Sequence, residues 1–292
     1  MSAICKDRVV IITGAGGGLG AAYARAFAEE GAKVVVNDIN ESAAQGTVDA
    51  IKAAGGEAVV NSSDITSYAD SENAVKQAIE TYGDLHVVVN NAGICRDRMF
   101  ASMTEAEWDT VIAVHLKGHF CISSHAVHYW RDQKKSGREV NARIINTSSG
   151  AGLNGSIGQS NYAAAKGGIA SLTLNQAAEL GRYGITANAL APAARTGMTE
   201  DVFGDMMKKP DDGFDYYDPA NVAPLVVWLG SADSRIVTGR VFEVEGGRIS
   251  IADGWRSTKG IDKGARWEPG EVGGAVDQLL SDEVPPQKVY GA

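Results

Sequence analysis

Short runs of apolar, mostly β-branched residues recur along the chain and alternate with longer stretches of helix-forming composition. The first run, residues 8–12, leads into a cluster of glycines and then into an alanine-rich stretch that ends at residue 30. Strands are predicted at residues 8–12, 33–37, 58–62, 85–90, 142–147, 186–191 and 241–245, and helices at residues 42–54, 67–82, 104–124 and from residue 162 onward. This alternation predicts an α/β fold with a doubly wound parallel sheet and helices on both faces.

Two segments lack this periodicity. Residues 193–218 are rich in glycine, proline and aspartate, and irregular stretches of this length in compact folds usually serve as lids or binding loops. From residue 255 the composition turns to glycine, proline and charged residues. We therefore expect a single domain over residues 1–254 with a lid near residues 193–218, and an extension over residues 255–292 that wraps over its own or a neighbouring subunit.

Composition and charge exclude several classes of partner. The net charge of −9 and the pI near 5.1 give no basic excess for nucleic acid. No uncharged apolar run reaches the roughly 18 residues of a membrane-spanning helix. The cysteines Cys5, Cys95 and Cys121 are widely separated, which favours neither a disulfide framework nor a metal site. The protein is therefore expected to work in the cytoplasm, without membrane or nucleic acid as a partner.

The glycines after the first predicted strand form the pattern T-G-x-x-x-G-x-G over residues 13–20. Because glycine has no Cβ, Gly14, Gly16, Gly18 and Gly20 allow a sharp strand-to-helix turn and a close approach of the backbone to a pyrophosphate at the helix N-terminus. Glycines also serve ordinary tight turns. Their position between the first strand and the first helix favours a dinucleotide site.

An acidic residue follows the second predicted strand. Asp38 lies eighteen residues beyond Gly20, where a carboxylate accepts hydrogen bonds from the adenosine ribose and repels a 2′-phosphate. No Arg or Lys stands at Gly17, Ile39 or Asn40 to neutralise such a phosphate, so the sequence favours NAD over NADP. The alternative for Asp38 is a solvated turn residue. Asp64, after the third strand, either contacts the adenine or caps a turn.

Three residues in the second half suggest acid/base chemistry. Tyr162 and Lys166 are four apart on a predicted helix and therefore share one face. A nearby ammonium favours the phenolate and lowers the phenol's pKa, and the positive nicotinamide ring adds to this effect. Ser149 can donate a hydrogen bond to a substrate oxygen while Tyr162 accepts the hydroxyl proton. Taken singly, each could be an ordinary surface or cap residue.

Together with Asn90-Asn91-Ala92-Gly93, these features resemble the short-chain dehydrogenase/reductase family over residues 6–250. The resemblance implies a Rossmann-like sheet, gives Ser149, Tyr162 and Lys166 the roles described above, and adds the nicotinamide ribose as a partner of Lys166. It also places the dinucleotide on the following further residues: Leu19, Ile65, Asn91, Ala92, Gly93, Pro192 and Thr196. No metal is implied.

Two positions depart from the family pattern. His115 stands where most members have an asparagine that holds a water in the proton path behind the lysine. A neutral histidine has one donor and one acceptor and could hold the same water or carry protons itself. A packed helix histidine is the alternative. Ala193 replaces a common glycine, which restricts the loop without altering the reaction.

Further residues narrow the resemblance to the dehydrogenase part of peroxisomal multifunctional enzymes of type 2 and to bacterial stand-alone relatives of it. The matching segments are residues 93–100, 114–118 and 222–229. This implies oxidation of a 3-hydroxyacyl-CoA to a 3-oxoacyl-CoA with NAD, in fatty-acid or sterol side-chain degradation, by a dimer or tetramer. The alternatives are a 17β-hydroxysteroid dehydrogenase, a 3-oxoacyl carrier-protein reductase and a nucleotide-binding module without catalysis.

Overall fold

In a computed structural model of the chain, the described residues are 3–197, 205–252, 254, 257, 260–281 and 288–290. They form one eight-stranded sheet with the strand order β3-β2-β1-β4-β5-β6-β7-β8. The strands are β1 (Val9–Thr13), β2 (Lys33–Asn37), β3 (Glu57–Asn61), β4 (Val87–Asn90), β5 (Ala142–Thr147), β6 (Ile185–Ala193), β7 (Val241–Glu245) and β8 (Arg248–Ala252). The first seven are parallel, and β8 runs antiparallel to β7. The predicted doubly wound sheet is confirmed.

Among the described residues, eight α-helices lie between strands along the chain and a ninth follows β8. They are α1 (Gly18–Glu29), α2 (Glu41–Ala53), α3 (Tyr68–Tyr82), α4 (Glu105–Ile112), α5 (Gly118–Lys135), α6 (Gly150–Asn154), α7 (Ser160–Leu180), α8 (Ala223–Gly230) and α9 (Pro269–Ser281). Side chains that accept backbone N–H groups fix where several of them begin: Asn40 caps α2 and Ser67 caps α3. Thr104 and Glu107 form the predicted capping box of α4.

The central strands are buried on both faces, as their nearly continuous apolar sequence requires. In β1, Val10 and Ile12 point into one core cluster, whereas Val9 and Ile11 point into a second cluster on the opposite face. The two cores hold the sheet between layers of helices. The carboxyl ends of the parallel strands therefore meet at one edge, where ligands of such sheets usually bind.

The predicted helix over residues 104–124 is wrong in two respects. A π-helical turn at Ala113–Lys117 separates α4 from α5, and α5 continues to Lys135. Apolar periodicity does not distinguish a π-helical turn from an α-helical one over so short a distance, so this turn could not be predicted from the sequence. The extension predicted to be aperiodic contains α9, whose apolar residues Val272, Val276 and Leu280 recur at helical spacing.

β8 was absent from the sequence-based prediction. Its alternating Ile249 and Ile251 are more than half exposed, so the strand lacks the continuous apolar pattern by which the buried strands were found.

Residues 198–204 of the predicted lid lie outside the described residues. On either side of them Arg195 pairs with Asp215, the guanidinium nitrogen lying 2.5 Å from the carboxylate oxygen, and a second nitrogen of Arg195 donates to the Met207 carbonyl at 2.7 Å. This ion pair joins the two ends of the segment. Its action as a lid stays a prediction.

Among the helices of the described ranges, none has the length and apolar character needed to cross a bilayer. Within the same ranges, His, Cys, Asp and Glu side chains form no cluster of three that is arranged to ligate a metal ion.

Candidate active site

The glycine turn joins β1 to α1 in a space too small for side chains. A Cβ on Gly14, whose φ is +62°, would lie 2.7 Å from the Ala92 Cα, and a Cβ on Gly20 would lie 2.2 Å from the Gly14 carbonyl oxygen. No described side chain caps the first turn of α1, so its N–H groups stay available to a ligand. These features fit the pyrophosphate of a dinucleotide.

Asp38 lies beside this turn, as predicted. One carboxylate oxygen accepts the Gly16 N–H at 3.0 Å, and the other accepts the Asn40 N–H at 2.9 Å. A Cβ on Gly16 would come within 2.8 Å of the first oxygen, so the absence of a side chain there lets the carboxylate reach the turn. Asp38 stays partly exposed and open to a ligand. Its contact with the ribose remains a prediction.

Asp64 and Ile65 stand at the start of the turn before α3. One oxygen of Asp64 accepts both the backbone N–H and the hydroxyl of Thr66 at 2.8 Å, which is the geometry of a turn cap. Ile65 is nearly buried, and a Cβ on Gly118 would lie 2.8 Å from its Cδ1. The local geometry thus supports the turn-cap alternative for Asp64. A contact of either residue with adenine stays a prediction.

Asn91 and Ala92 tie the end of β4 to the end of β1. The Asn91 side chain donates to the carbonyls of Thr13 and Gly14 at 3.0 and 3.2 Å. The backbone N–H groups of Asn91 and Ala92 both donate to the Thr13 hydroxyl, at 2.9 and 3.0 Å. Because these bonds hold the glycine turn against the next strand, Asn91 supports the walls of the cleft.

Ser149, Tyr162 and Lys166 come together at the carboxyl end of β5. Ser149 follows that strand by two residues, and its hydroxyl accepts the Ala151 N–H at 3.2 Å at the start of α6. Tyr162 and Lys166 lie on one face of α7, the Lys166 Nζ 5.5 Å from the centre of the Tyr162 ring. Lys166 is buried and donates to the Thr147 carbonyl at 2.6 Å. The three predicted residues therefore form one site.

Burial controls the electrostatics of this site. It raises the pKa of the Tyr162 phenol above its ordinary range, and a hydrogen bond from Ser149 opposes part of that rise. Burial also lowers the pKa of the Lys166 ammonium to about 7. The expectation that Lys166 lowers the pKa of Tyr162 is thus not met in the protein by itself, because loss of solvent disfavours the charged form of both groups.

His115 lies in the π-helical turn, fully buried beside Tyr162. The two rings meet edge to face with centroids 5.1 Å apart. Its Nε2 lies 2.8 Å from the carbonyl oxygen of Ile94 and 3.0 Å from the Ile94 N, so the tautomer decides which bond forms. The Nδ1 finds no partner among the described residues. Burial, with a further contribution from Lys166, lowers the pKa of His115 to about 3, so the ring is neutral near pH 7.

Gly93 leaves the room that this ring needs. A Cβ at Gly93 would lie 2.3 Å from the Cε1 of His115. In this chain a side chain at Gly93 would therefore collide with the His115 ring.

A cavity of about 530 Å³ opens beside these groups, and Ser149, Tyr162 and Pro192 line it. Thr196 lies at the opposite side of the glycine turn, where a Cβ on Gly18 would be 3.4 Å from its methyl group. Sequence reasoning missed several other lining residues: Cys95, Asp97, Gln159, Met207, Tyr217 and Tyr290. Cys95 and Asp97 follow the N-N-A-G motif closely enough to have been suspected, whereas no local pattern marks Tyr290.

Comparisons with known proteins identify relatives of this chain. A family model described as short chain dehydrogenase matches residues 8–206. The chain is 43% identical over 290 residues to a protein from Mycobacterium tuberculosis named hydroxyacyl-CoA dehydrogenase ChsB1, with 97% of this chain and 91% of that protein covered. It is 42% identical over 271 residues to the peroxisomal multifunctional enzyme type 2 of Mus musculus, covering 90% of this chain but only 35% of the mouse enzyme.

A solved structure has the same fold as this chain. The crystal structure of a short chain dehydrogenase from Mycobacterium avium superposes with a TM-score of 0.91 at 56% identity, covering 99% of this chain and 100% of that one.

Proposed function

The chain belongs to the short-chain dehydrogenase family, and from this premise we propose that it oxidises the 3-hydroxyl group of a 3-hydroxyacyl-CoA to a ketone, with NAD as the oxidant. As a member of that family it is an oxidoreductase acting on CH–OH groups. The observation that carries the proposed reaction is the meeting of Ser149 and Tyr162 in one cavity, with Lys166 directly behind them. This arrangement supplies a hydrogen-bond donor and a proton acceptor to the same substrate oxygen.

Each residue has a defined task in the proposed reaction. The Ser149 hydroxyl donates a hydrogen bond to the substrate oxygen and orients it toward Tyr162. The Tyr162 phenolate accepts the hydroxyl proton as the C–O bond becomes a carbonyl, and NAD when bound supplies the acceptor for the hydride that leaves the same carbon. When protonated, Lys166 would place positive charge 5.5 Å from the centre of the Tyr162 ring, and such a charge favours the phenolate that burial disfavours.

The substrate class rests on relatives. ChsB1, named a hydroxyacyl-CoA dehydrogenase, resembles this chain over nearly the full length of both proteins. The Saccharomyces cerevisiae peroxisomal hydratase-dehydrogenase-epimerase is 44% identical over 251 residues, although the chain covers 26% of that protein. Both names support a dehydrogenase of β-oxidation type, in fatty-acid or sterol side-chain degradation.

The preference for NAD rests on Asp38. Its carboxylate lies at the glycine turn and Ile39, the next residue, is 74% exposed and carries no charge. A 2′-phosphate placed there would meet a negative charge without a lysine or arginine at residues 17, 39 or 40 to compensate it.

We also propose that the enzyme works in the cytoplasm. The three free cysteines are consistent with that reducing compartment.

The proposed reaction is tested by following NADH formation with 3-hydroxyacyl-CoA thioesters of several chain lengths, both enantiomers, and 17β-hydroxysteroids. We expect the acyl-CoA substrates to be preferred. Tyr162→Phe should lower kcat by about a hundredfold or more, because the proton acceptor is lost. Tyr183→Phe, in the helical turn that follows α7, is the matched control and should retain activity. Preferential turnover of steroids, or an active Tyr162→Phe variant, would contradict the proposal.

The cofactor is tested separately by comparing kcat/KM with NAD and NADP. Wild type should prefer NAD, and Asp38→Ala combined with Ile39→Arg should shift the preference toward NADP by about tenfold or more. Asp49→Ala, which removes an exposed carboxylate of α2, should leave the preference unchanged. Equal use of both cofactors by wild type would show that Asp38 does not select NAD.

A further inference from the structure

Residues 155–159 form a short segment with a turn at residues 157–158 along one side of the catalytic cavity, just before α7 begins. On one flank Arg98 pairs with Gln159, and the Arg98 N–H donates to the Gly158 carbonyl at 2.7 Å. The Gln159 side chain also donates to Asp97 at 2.8 Å. This flank joins the cavity wall to the segment that follows the N-N-A-G motif.

The other flank is occupied by residues 288–290. Ser156 pairs with Tyr290 as a parallel bridge. The Ile157 N–H donates to the Tyr290 carbonyl at 3.0 Å, and the Tyr290 N–H donates to the Gly155 carbonyl at 3.2 Å. Two backbone hydrogen bonds therefore fix the position of Tyr290 at the mouth of the cavity, almost 130 residues along the chain from Tyr162. We call residues 97–98, 155–159 and 288–290 the rim.

The Tyr290 ring occupies the space beside Gly150. A Cβ on Gly150 would lie 2.7 Å from the Tyr290 hydroxyl oxygen and 2.9 Å from its Cε2. Because Gly150 is bonded to Ser149, the ring stands next to the group that orients the substrate oxygen. Tyr290 lines the same cavity as Ser149 and Tyr162, and its side chain is 49% exposed.

We propose that Tyr290 is a substrate-binding residue whose ring forms the cavity wall nearest the reacting carbon. This proposal rests on the proposed function for the identity of the substrate. The exposed part of the ring is apolar surface that a bound acyl group would cover, and burying aromatic surface favours binding. The hydroxyl is not required for this, since the contact is made by the ring.

The first test measures steady-state kinetics of the full chain with NAD and a 3-hydroxyacyl-CoA. Tyr290→Ala should raise KM for the thioester by about fivefold or more, and should change kcat and KM for NAD by less than about twofold. Tyr290→Phe should behave as wild type. Lys288→Ala is the matched control, because this exposed residue lies in the same paired segment but outside the cavity lining. An unchanged or lower KM in Tyr290→Ala overturns the proposal.

The second test exploits Gly150. Gly150→Ala would push the ring out of its place and should raise KM for the thioester in the wild-type background. In the Tyr290→Ala background the same substitution should have little further effect, since the ring it displaces is gone. Fully additive effects would show that Gly150 and Tyr290 do not act on each other, against the proposal.

A third measurement is independent of the substrate's identity. Cys95 lines the cavity, whereas Cys5 and Cys121 are fully buried, so a thiol-reactive aromatic disulfide should label Cys95 alone. Burial raises the pKa of the Cys95 thiol to about 11, which makes labelling slow enough to follow. Tyr290→Ala should open the cavity and speed labelling by about threefold or more, and Lys288→Ala should not.

The outcomes separate the two proposals. If wild type does not oxidise 3-hydroxyacyl-CoA yet labelling accelerates in Tyr290→Ala, the proposed substrate is wrong, but the place of Tyr290 in the cavity wall is supported. If wild type oxidises the thioester and neither KM nor labelling changes in Tyr290→Ala, the proposed function is supported and Tyr290 has no part in the cavity wall.

Discussion

Burial disfavours the charged form of both Tyr162 and Lys166, which raises the pKa of the phenol and lowers that of the ammonium. The proposed reaction instead requires a phenolate beside a cation. A hydrogen bond from Ser149 offsets part of the rise in the pKa of Tyr162, and the positive nicotinamide ring, when bound in the cleft, would lower that pKa further. The spacing of Tyr162 and Lys166 predicted that they share one face of a helix, but it did not predict their charge states, because spacing does not report desolvation.

Lys166 should leave a signature in the pH dependence of stability. Its pKa is about 7 in the folded protein, against 10.5 for a lysine exposed to water, so between these values the unfolded state binds a proton that the folded state does not. Stability should therefore rise with pH across this window and be flat, for this group, below it.

Lys166→Met should remove this contribution, which can be seen by comparing urea unfolding of variant and wild type between about pH 7 and 9. The stabilising effect of the substitution should be largest at the low end of that range. Lys134→Met, an exposed lysine of α5, serves as the control. A constant difference between Lys166→Met and wild type over the whole range would contradict the lowered pKa.

His115 should act as a neutral group. Its pKa is lowered to about 3, so the ring carries no charge across the working range of pH, and any proton it passes must move between its two nitrogens. His115→Asn should keep activity within about threefold because an amide offers both a donor and an acceptor, whereas His115→Leu should lose about tenfold or more.

The pH-rate profile gives a second readout for His115. Below the folded pKa the ring would charge, but between about pH 5 and 8 neither variant should gain or lose an ionisation relative to wild type. His128→Leu, an exposed position on α5, should change nothing. Equal rates for the Asn and Leu variants would leave His115 as a packed histidine with no part in catalysis.

Among the helices and strands, those with strong periodicity and a cap or glycine at the boundary were predicted well. β2 and β5 match their predicted ranges, and the capping box of α4 is present. The two elements that the sequence did not predict share a cause. The π-helical turn places His115 against Gly93, and β8 pairs with β7. Both are tertiary contacts, and neither leaves a local pattern in the sequence.

β6 depends on the turn that precedes it. Gly184 has a φ of +81°, and a Cβ there would lie 2.1 Å from the Val140 carbonyl oxygen. Gly137, with a φ of +86°, has no atom within 4 Å of the same position. The two glycines share a backbone conformation and differ in the space around them.

Alanine at Gly184 should therefore destabilise the fold more than alanine at Gly137. Both substitutions incur a left-handed penalty of about 1–2 kcal/mol, but only Gly184→Ala adds a collision with backbone. In thermal unfolding we expect the Tm of Gly184→Ala to fall below that of Gly137→Ala by at least about 2 °C. Equal Tm values would show that the turn relaxes to admit the methyl group.

The molecule as a whole exposes large apolar side chains on helices that cover the sheet. Phe120 of α5 is 51% exposed and Leu174 of α7 is 52% exposed. We predict that a homo-oligomer buries these residues, because large apolar side chains exposed to water often mark the surfaces through which proteins associate. The oligomer was expected from the family resemblance, and the exposed residues indicate where its contacts lie.

Light scattering after size exclusion tests this prediction. Wild type should show a mass that is a multiple of 30.6 kDa, and Phe120→Glu or Leu174→Glu should shift it to a smaller species. Lys52→Glu, on the exposed face of α2, is the control for added negative charge. A monomeric wild type would refute the expectation.

Sequence reasoning at this level predicted the sheet, and it predicted residues that the structure brings together at the cleft, because each is encoded by neighbours in the chain. Tyr290 was missed because it reaches the site through pairing with residues more than 130 positions away.

The position of the rim allows changes to the cavity wall that leave the residues assigned to the chemistry unchanged. The residues to which we assign the chemistry, Ser149, Tyr162 and Lys166, lie just after β5 and on α7, where substitution disturbs the core. The rim, by contrast, consists of short, exposed or partly exposed segments joined by a few backbone hydrogen bonds. Exchanging these segments between homologous dehydrogenases offers a route to altered substrate choice in which the catalytic residues and the sheet beneath them are left untouched.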